Sequence, residues 1–459
     1  MNLRLVTLSV LVLFLAGCVG DAPDAKPKRP NFILLYADDQ GWPGLSVQMD
    51  ERRADSKSDF YQTPNLERLA ERGVVFTRAY SGSSICSASR ASVQTGLTTS
   101  RHGLTSIVDS NPQEDDSYLL RRTPNKNIDI SGFTTLPEAL KEVDPSYRTA
   151  HFGKWHLESG GPSNNGFDVG DGPTINTEGD VGDPDPKLTF SITKSGIDFM
   201  RESVESDEPF FLQLSYYAVH LEMHALDATH EKYKELPAGA KHTNPLYAAM
   251  TEDLDTGVGR VLAAVDELGL SDNTYVVYAV DNGAYVNFNE FRVKGEISSC
   301  EPLNKGKFWL YEGGIRGPMI VAGPGVARGV HSRQVISQTD LYPSFIELAG
   351  GEPPAEIDGV TFTRLLSEPK GPALTRPGDA LFFHYPHYNR QTTPQSSIID
   401  GHMKLIKFWE DGALRLYDLD ADLEEQIDLA ESRPADASAL ERRLDSYLAQ
   451  ADVLYPQPK

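Results

Sequence analysis

Four oxygen-bearing side chains stand at the ends of apolar runs. Asp38 and Asp39 close NFILLYADD, and Asp281 and Asn282 close NTYVVYAVDN. Hard donors of this kind suit calcium or magnesium without help from His or Cys. A second set is cationic or proton-carrying: Arg90, Lys154, His156, His220 and Lys307. Together they suit an anion whose charge builds on a leaving oxygen, as in sulfuryl or phosphoryl transfer. In HFGKWH, Lys154 and His156 stand two apart and share a face if the segment is extended. His220 closes a third apolar run, EPFFLQLSYYAVH. Cys86 lies in SGSSICSASRASVQTG, in a run of Ser, Ala and Arg where nothing apolar surrounds it closely enough to make it an obvious core residue.

These residues need elements to bring them together. From residue 31, short apolar runs alternate with helical stretches. TPNLERLAERG, TLPEALKEV, DLYPSFIELAGG and the long NPLYAAMTEDLDTGVGRVLAAVDELGL read as helices. VVFTRAYS, YRTAHFG and GPMIVAG read as strands. The alternation predicts an α/β fold with a large, mostly parallel sheet covered by helices on both faces. Ligands of such sheets bind beyond the carboxyl ends of the strands, where Asp38-Asp39, His220 and Asp281-Asn282 fall. A loop-rich insertion spans about 104–133. Past a Pro- and Gly-rich connector, ALFFHYPHY, SSIIDGHMKLIKFWED and ALRLYDLD alternate like antiparallel strands, and ADASALERRLDSYLAQA is helical. The expected division is a catalytic domain over 31–368 and a smaller α+β domain over 369–459.

The start, MNLRLVTLSVLVLFLAGCVG, reads as an export signal too short for a permanent span. Leu15-Ala16-Gly17-Cys18 resembles the lipobox of bacterial lipoproteins. The expectation is a signal peptide over 1–17, lipid on Cys18, a tether over 18–30, and an exported, membrane-anchored protein in the periplasm or on the cell surface. Export permits a disulfide between the two remaining cysteines, Cys86 and Cys300. The net charge of −23 argues against a nucleic-acid partner, while leaving room for a local positive pocket.

Cys-Ser-Ala-Ser-Arg at 86–90 resembles the signature of type I sulfatases, in the alkaline phosphatase superfamily. NFILLYADDQG, GKWH at 153–156, YYAVH, VDNG at 280–283 and GKFWLYEGGIRGP follow in that family's order. The resemblance covers roughly 31–430 and implies an alkaline phosphatase-like fold. It implies that Cys86 is oxidised to formylglycine (3-oxoalanine) by a maturation enzyme, and that the aldehyde hydrate is the nucleophile. It further implies one calcium ion, with magnesium second, held by Asp38, Asp39, Asp281, Asn282 and the modified Cys86. Arg90 would steady the hydrate, and Lys154 and Lys307 would hold sulfate oxygens. His220, with Lys307, would protonate the leaving alcohol, and His156 would take the proton that regenerates the aldehyde. Ala88 stands where Pro is commoner. Lys305, close to Lys307, leaves the register of that lysine to be fixed by structure.

The implied substrate is a carbohydrate sulfate ester, of galactose type, from a polysaccharide. His384 and His387, in FFHYPHY, could contribute to a sugar pocket, or belong to a packed strand. Two alternatives stand: a phosphonate or phosphate ester hydrolase of the same superfamily, and a non-catalytic lipoprotein that binds sulfated glycans.

Overall fold

The computed structural model describes residues 29–108, 116–286, 296–389 and 392–459. Cys18 and the leader lie outside the described residues. In chain order the strands are β1 (Asn31–Ala37), β2 (Gly73–Tyr80), β3 (Leu120–Arg121), β4 (Arg148–Gly153), β5 (Val169–Gly170), β6 (Phe210–Ser215) and β7 (Thr274–Val280). They continue with β8 (Met319–Ala322), β9 (Val330–Ser337), β10 (Leu381–Tyr385), β11 (Gln395–Asp400), β12 (Met403–Phe408), β13 (Leu414–Asp418) and β14 (Gln457–Pro458).

Eight strands form the main sheet, in the order β5-β4-β6-β1-β7-β8-β2-β9. β8 runs antiparallel to both neighbours, and the other pairs are parallel. The sheet is therefore mixed and mostly parallel, as the alternation of elements predicts. β1 is buried at every position because both faces are covered. Its side chains split by the period of two: Ile33 and Leu35 enter one core with the helices Pro64–Arg72, Thr189–Glu205 and Pro245–Glu267. Phe32, Leu34 and Tyr36 enter the other, with the helices Leu136–Val143 and Leu341–Leu348. Helix Leu136–Val143 starts on a capping box, in which the Thr135 N–H donates to Glu138 at 2.7 Å.

The C-terminal sheet is an antiparallel meander, β10-β11-β12-β13. Leu440, Leu444 and Leu448 of the helix Pro434–Gln450 pack on Ile398, Leu405 and Leu416. Its other face, with Phe383, Tyr385, Ile406 and Tyr417, merges with the first core of the main sheet. β3, inside the loop-rich insertion, pairs with β14 near the end of the chain.

Buried charges fasten the two sheets together. Lys404 of β12 reaches Glu312 at 2.9 Å and Glu425 at 2.8 Å, and Arg316 reaches Glu312 at 3.1 Å. All four are at most 3% exposed. Burial pushes the Glu425 carboxyl up to about 7, against the pull of Lys404. Removing one member of a buried ion cluster leaves its partners desolvated and uncompensated. Lys404→Met is expected to cost about 3–5 kcal/mol. The measurement is the denaturation midpoint in urea at unchanged slope; an unmoved midpoint would show that the cluster holds nothing.

Candidate active site

The carboxyl edge of the sheet gathers residues from six chain segments. β1 lies between β6 and β7, with Tyr36 opposite Ser215 and Ala37 opposite Val280. The first residues beyond those ends are therefore neighbours. Asp38 follows β1 and Asp281 follows β7, and the Asp39 N–H donates to Asp281 Oδ1 at 3.1 Å. Tyr247 donates to the Asp39 carbonyl at 3.1 Å, which helps hold Asp39 at its positive φ of 55°.

His220 is not at a strand end, as the apolar run suggests. β6 stops at Ser215, and His220 lies in the turn beyond. Its place comes from pairing that outlasts the strand: the Asp38 N–H donates to Ala218 O and the Val219 N–H to Asp38 O. Lys154 and His156 likewise sit in the loop after β4, and His156 has φ of 56°. The two do not share the face of an extended strand. The Lys154 ammonium donates to Asp38 Oδ2, and the His156 N–H donates to Thr174 O at 2.8 Å.

Cys86 is the first residue of the helix Cys86–Thr95 and is fully buried, although the sequence around it is polar. The surrounding serines bond among themselves: Ser89 Oγ, for example, accepts from the Ser83 N–H and donates to Ser83 O. Arg90, one turn along the same helix face, donates to Asp281 Oδ2 at 2.9 and 3.1 Å and to Lys154 O at 2.6 Å. Arg90 thus fixes a carboxylate and the lysine loop. Cys300 is buried and unbridged, with Sγ 3.4 Å from Gly313 O. Cys86 is also free, so the structure has no Cys86–Cys300 disulfide.

Lys307 settles its own register. Its ammonium is 2.7 Å from Asp39 Oδ2 and 3.1 Å from Cys86 Sγ, whereas Lys305 lies over the Trp309 ring. Two glycine-bearing motifs lock this segment to Asn282. The Gly283 N–H donates to Gly314 O at 3.0 Å, and a Cβ on Gly283 would stand 1.8 Å from Gly313 O. No side chain fits there, which gives VDNG and EGG a steric reason for their glycines.

The electrostatics are those of a charged cluster taken out of water. Asp38 is held well below the usual carboxylate range: burial opposes this, but Lys154, His220 and Arg90 outweigh it. Asp281 is pushed up to about 7 by burial and by Asp38, despite Arg90. Burial drives the Cys86 thiol up to about 12, although Lys154 and Lys307 pull it down. An unmodified Cys86 is then a protonated thiol at neutral pH and a poor nucleophile. His220 is lowered well below the ordinary histidine value by burial and Lys307. Its Nδ1 faces the Leu221 carbonyl and must donate to it, so the neutral ring turns the lone pair of Nε2 towards Asp39, 3.6 Å away.

The donor set fits a hard cation. Asp38 Oδ1 and Asn282 Oδ1 are buried oxygens with no hydrogen-bond partner. Ligand atoms of Asp38, Cys86 and Asp281, and of Asp39, Cys86 and His220, each lie within 4.8 Å of one another. Buried, unanswered oxygens of this kind are costly unless a proton, water or cation meets them.

Neither histidine of FFHYPHY is available to a sugar. His384 is 2% exposed, and its two ring nitrogens meet Ser396 Oγ at 2.7 Å and Leu454 O at 3.2 Å. His387 is 5% exposed, with Nε2 2.8 Å from Thr105 Oγ1. Both are packing residues, which corrects the sugar-pocket reading of FFHYPHY. Sequence patterning also passes over Lys187. It is 1% exposed, bonded to Asp180 at 3.2 Å and to Glu222 O at 2.9 Å, and its charge acts on His220. No motif surrounds it; only the tertiary fold reveals it.

Comparison with known proteins gives this geometry a context. The sulfatase family model matches residues 30–351, and the model for the C-terminal part of N-sulphoglucosamine sulphohydrolase matches residues 305–452. A sulfatase of Formosa agariphila is 27% identical, over 94% of this chain and 90% of its own. The N-acetylgalactosamine-6-sulfatase of Mus musculus is 31% identical, over 81% of this chain and 71% of its own. The crystal structure of Ps i-CgsB superposes with a TM-score of 0.73 at 23% identity, covering 92% of this chain and 93% of that one. The family match spans the whole edge that gathers the cations and carboxylates, and this chain belongs to the sulfatase family as a sulfuric ester hydrolase.

Proposed function

We propose that the protein removes sulfate from carbohydrate sulfate esters of galactose type, using a formylglycine made from Cys86 and one calcium ion. The observation that carries the reading is the placement of Cys86. Its sulfur is within 3.1 Å of the Lys307 ammonium and belongs to both carboxylate clusters, yet as a thiol it is protonated at neutral pH. The sugar class rests on the mouse relative, whose name puts its sulfate on N-acetylgalactosamine.

Asp38, Asp39, Asp281 and Asn282 would hold the calcium, which supplies positive charge to a bound sulfate, while the hydrated aldehyde at position 86 supplies the attacking oxygen. The residues of the chain do the rest. Lys154 and Lys307, now bonded to Asp38 and Asp39, are placed to share their N–H groups with sulfate oxygens and to offset charge that develops in the transition state. Arg90 keeps Asp281 and the Lys154 carbonyl in place. His220 receives a proton at Nε2 more readily once an anion lies beside it, and can then pass that proton to the leaving sugar oxygen. His156 is the second imidazole at this edge and the group to take a proton back.

The leader supports export and a lipid anchor at Cys18, so the enzyme would meet polymers outside the cytoplasm and would need a maturation enzyme for Cys86. Among the described residues no helix is long and apolar enough to cross a membrane.

The test compares release of sulfate from galactose-type sugar sulfates with hydrolysis of a phosphonate monoester, alongside the intact mass of the Cys86 peptide. Faster cleavage of the phosphonate, or an active enzyme carrying unmodified Cys86, would sink the reading. Binding without turnover would select the glycan-binding alternative. Exhaustive chelation is expected to stop turnover and added calcium to restore it, because the four side chains that would hold the ion, Asp38, Asp39, Asp281 and Asn282, offer oxygen donors. Stoichiometric zinc in the active enzyme, measured by elemental analysis, would overturn the ligand set.

A further inference from the structure

A second concentration of positive charge lies away from the carboxyl edge. Arg52 and Arg53 from the loop after β1, Arg78 of β2, Arg316 and Arg333 of β9 line one cavity of about 210 Å³. Asp50, and Leu419, Asp420, Ala421 and Leu423 from the segment after β13, complete the lining. Three of the arginines already have anions. Arg52 takes both oxygens of Asp50, at 3.0 and 2.8 Å. Arg53 pairs with Asp55 and Glu424, each at 2.8 Å, and Arg316 with Glu312.

The other two are not fully answered. Arg78 is 9% exposed and has no carboxylate within 4.0 Å among the described residues; its Nη2 donates to the Gly401 carbonyl, and the Tyr80 phenol lies beside it. Arg333 gives Nη2 to Asp420 at 3.1 Å. Its Nη1 is buried without a hydrogen bond, and the nearest carboxylate oxygen, on Asp50, is 3.6 Å away and already held by Arg52. A buried guanidinium N–H left without an acceptor is costly. Arg333 keeps its pairing with Asp420 but leaves Nη1 unbonded, and Arg78 donates to a carbonyl beside a phenol. The two face one cavity, several times the roughly 30 Å³ share of a water molecule, which makes a receptor for an oxyanion with acceptors on more than one side.

We propose that this cavity, at the junction of the two sheets, binds a tetrahedral oxyanion of the sulfate type through Arg78 and Arg333. The anion completes the coordination of both guanidinium groups and ties the 419–423 segment to β2 and β9. The ligand is either free inorganic sulfate or a sulfate group carried on a sugar chain. The site is separate from the catalytic edge and does not depend on the reaction proposed for it.

Crystals of the whole enzyme soaked in selenate test this directly, since selenium marks the anion by anomalous scattering. The expected result is a peak within hydrogen-bond reach of Arg78 and Arg333. Arg333→Met is the matched variant; the Arg333 side chain is 34% exposed, its partner Asp420 is 53% exposed and Asp50 keeps Arg52, so the fold is expected to tolerate it. It is expected to weaken selenate binding roughly tenfold, the loss of hydrogen bonds to a charged partner, with turnover of a monosulfated sugar unchanged. A cavity left empty at a selenate concentration that fills the catalytic edge would overturn the proposal. So would a peak of equal strength in Arg333→Met. Competition then assigns the source. A sulfated oligosaccharide that displaces selenate at lower concentration than inorganic sulfate does marks a chain-borne group; displacement equal to or weaker than that by inorganic sulfate marks the free ion.

Discussion

Cys86→Ala is expected to fold normally and to lose turnover altogether, by at least about 10⁴-fold, as when a covalent nucleophile is removed. The residue starts a helix and is fully buried, and Ala is a good helix former of smaller volume. The fold has little reason to object. Removing the sulfur also frees Lys307 of one partner, but Asp39 still holds its ammonium at 2.7 Å. Thermal denaturation should therefore move little while activity on any ester vanishes. Measurable turnover in mutant protein made without contact with wild type would mean that position 86 does not supply the attacking group. Serine at this position is the sharper variant, since it keeps an oxygen but cannot form an aldehyde hydrate. Its failure would separate the need for the hydrate from the need for any hydroxyl.

His220→Ala should divide substrates by their leaving groups. A sugar alkoxide needs a proton in the transition state, and a nitrophenolate hardly does. The sugar ester is expected to lose roughly 10²- to 10⁴-fold in kcat/KM, the ordinary worth of general acid catalysis. The aryl ester should lose far less. The structure makes the test pointed. His220 is lowered well below the ordinary histidine value, and its Nδ1 is committed to a carbonyl. That lowering disfavours a proton on Nε2 in the free enzyme, so the acid form is expected to depend on the anion bound beside it. Equal losses on the two esters would show that His220 shapes the pocket, and would move the acid to Lys307, whose ammonium is protonated and kept so by Asp39.

Much of this arrangement is legible in the chain itself. Asp38 and Asp281 follow directly after buried strands, and an apolar run ending in acid is a local pattern. The same patterning identifies the helix Pro64–Arg72 and its stop at Gly73. Tertiary information is needed where the backbone leaves its element. His220 lies five residues past β6 and is placed by hydrogen bonds to Asp38, which no periodicity records. The choice between Lys305 and Lys307 depends on a non-helical segment held by Gly283 and Gly314. Cys86 looks exposed in sequence because its neighbours are small and polar, yet those neighbours satisfy one another and bury it. His384 and His387 mislead for the opposite reason. A polar ring in an aromatic strand looks functional until its nitrogens are seen to be occupied.

The Lys404 cluster has a genetic consequence. The connector before β10 looks like a natural place to end a gene, and a chain stopped there would keep every residue named at the catalytic edge. It would lose Lys404, leaving the buried Glu312 with Arg316 as its one remaining cation among the described residues, and it would lose Gln395, which accepts the Leu310 N–H at 3.0 Å. It would also uncover Tyr80 and Tyr311, which lie beside Phe383 and Tyr417. Leu310 and Glu312 follow closely on the turn that carries Lys307 into the site. Nonsense and frameshift alleles that remove the last fifth of the chain should therefore behave as full nulls and not as weakened enzymes.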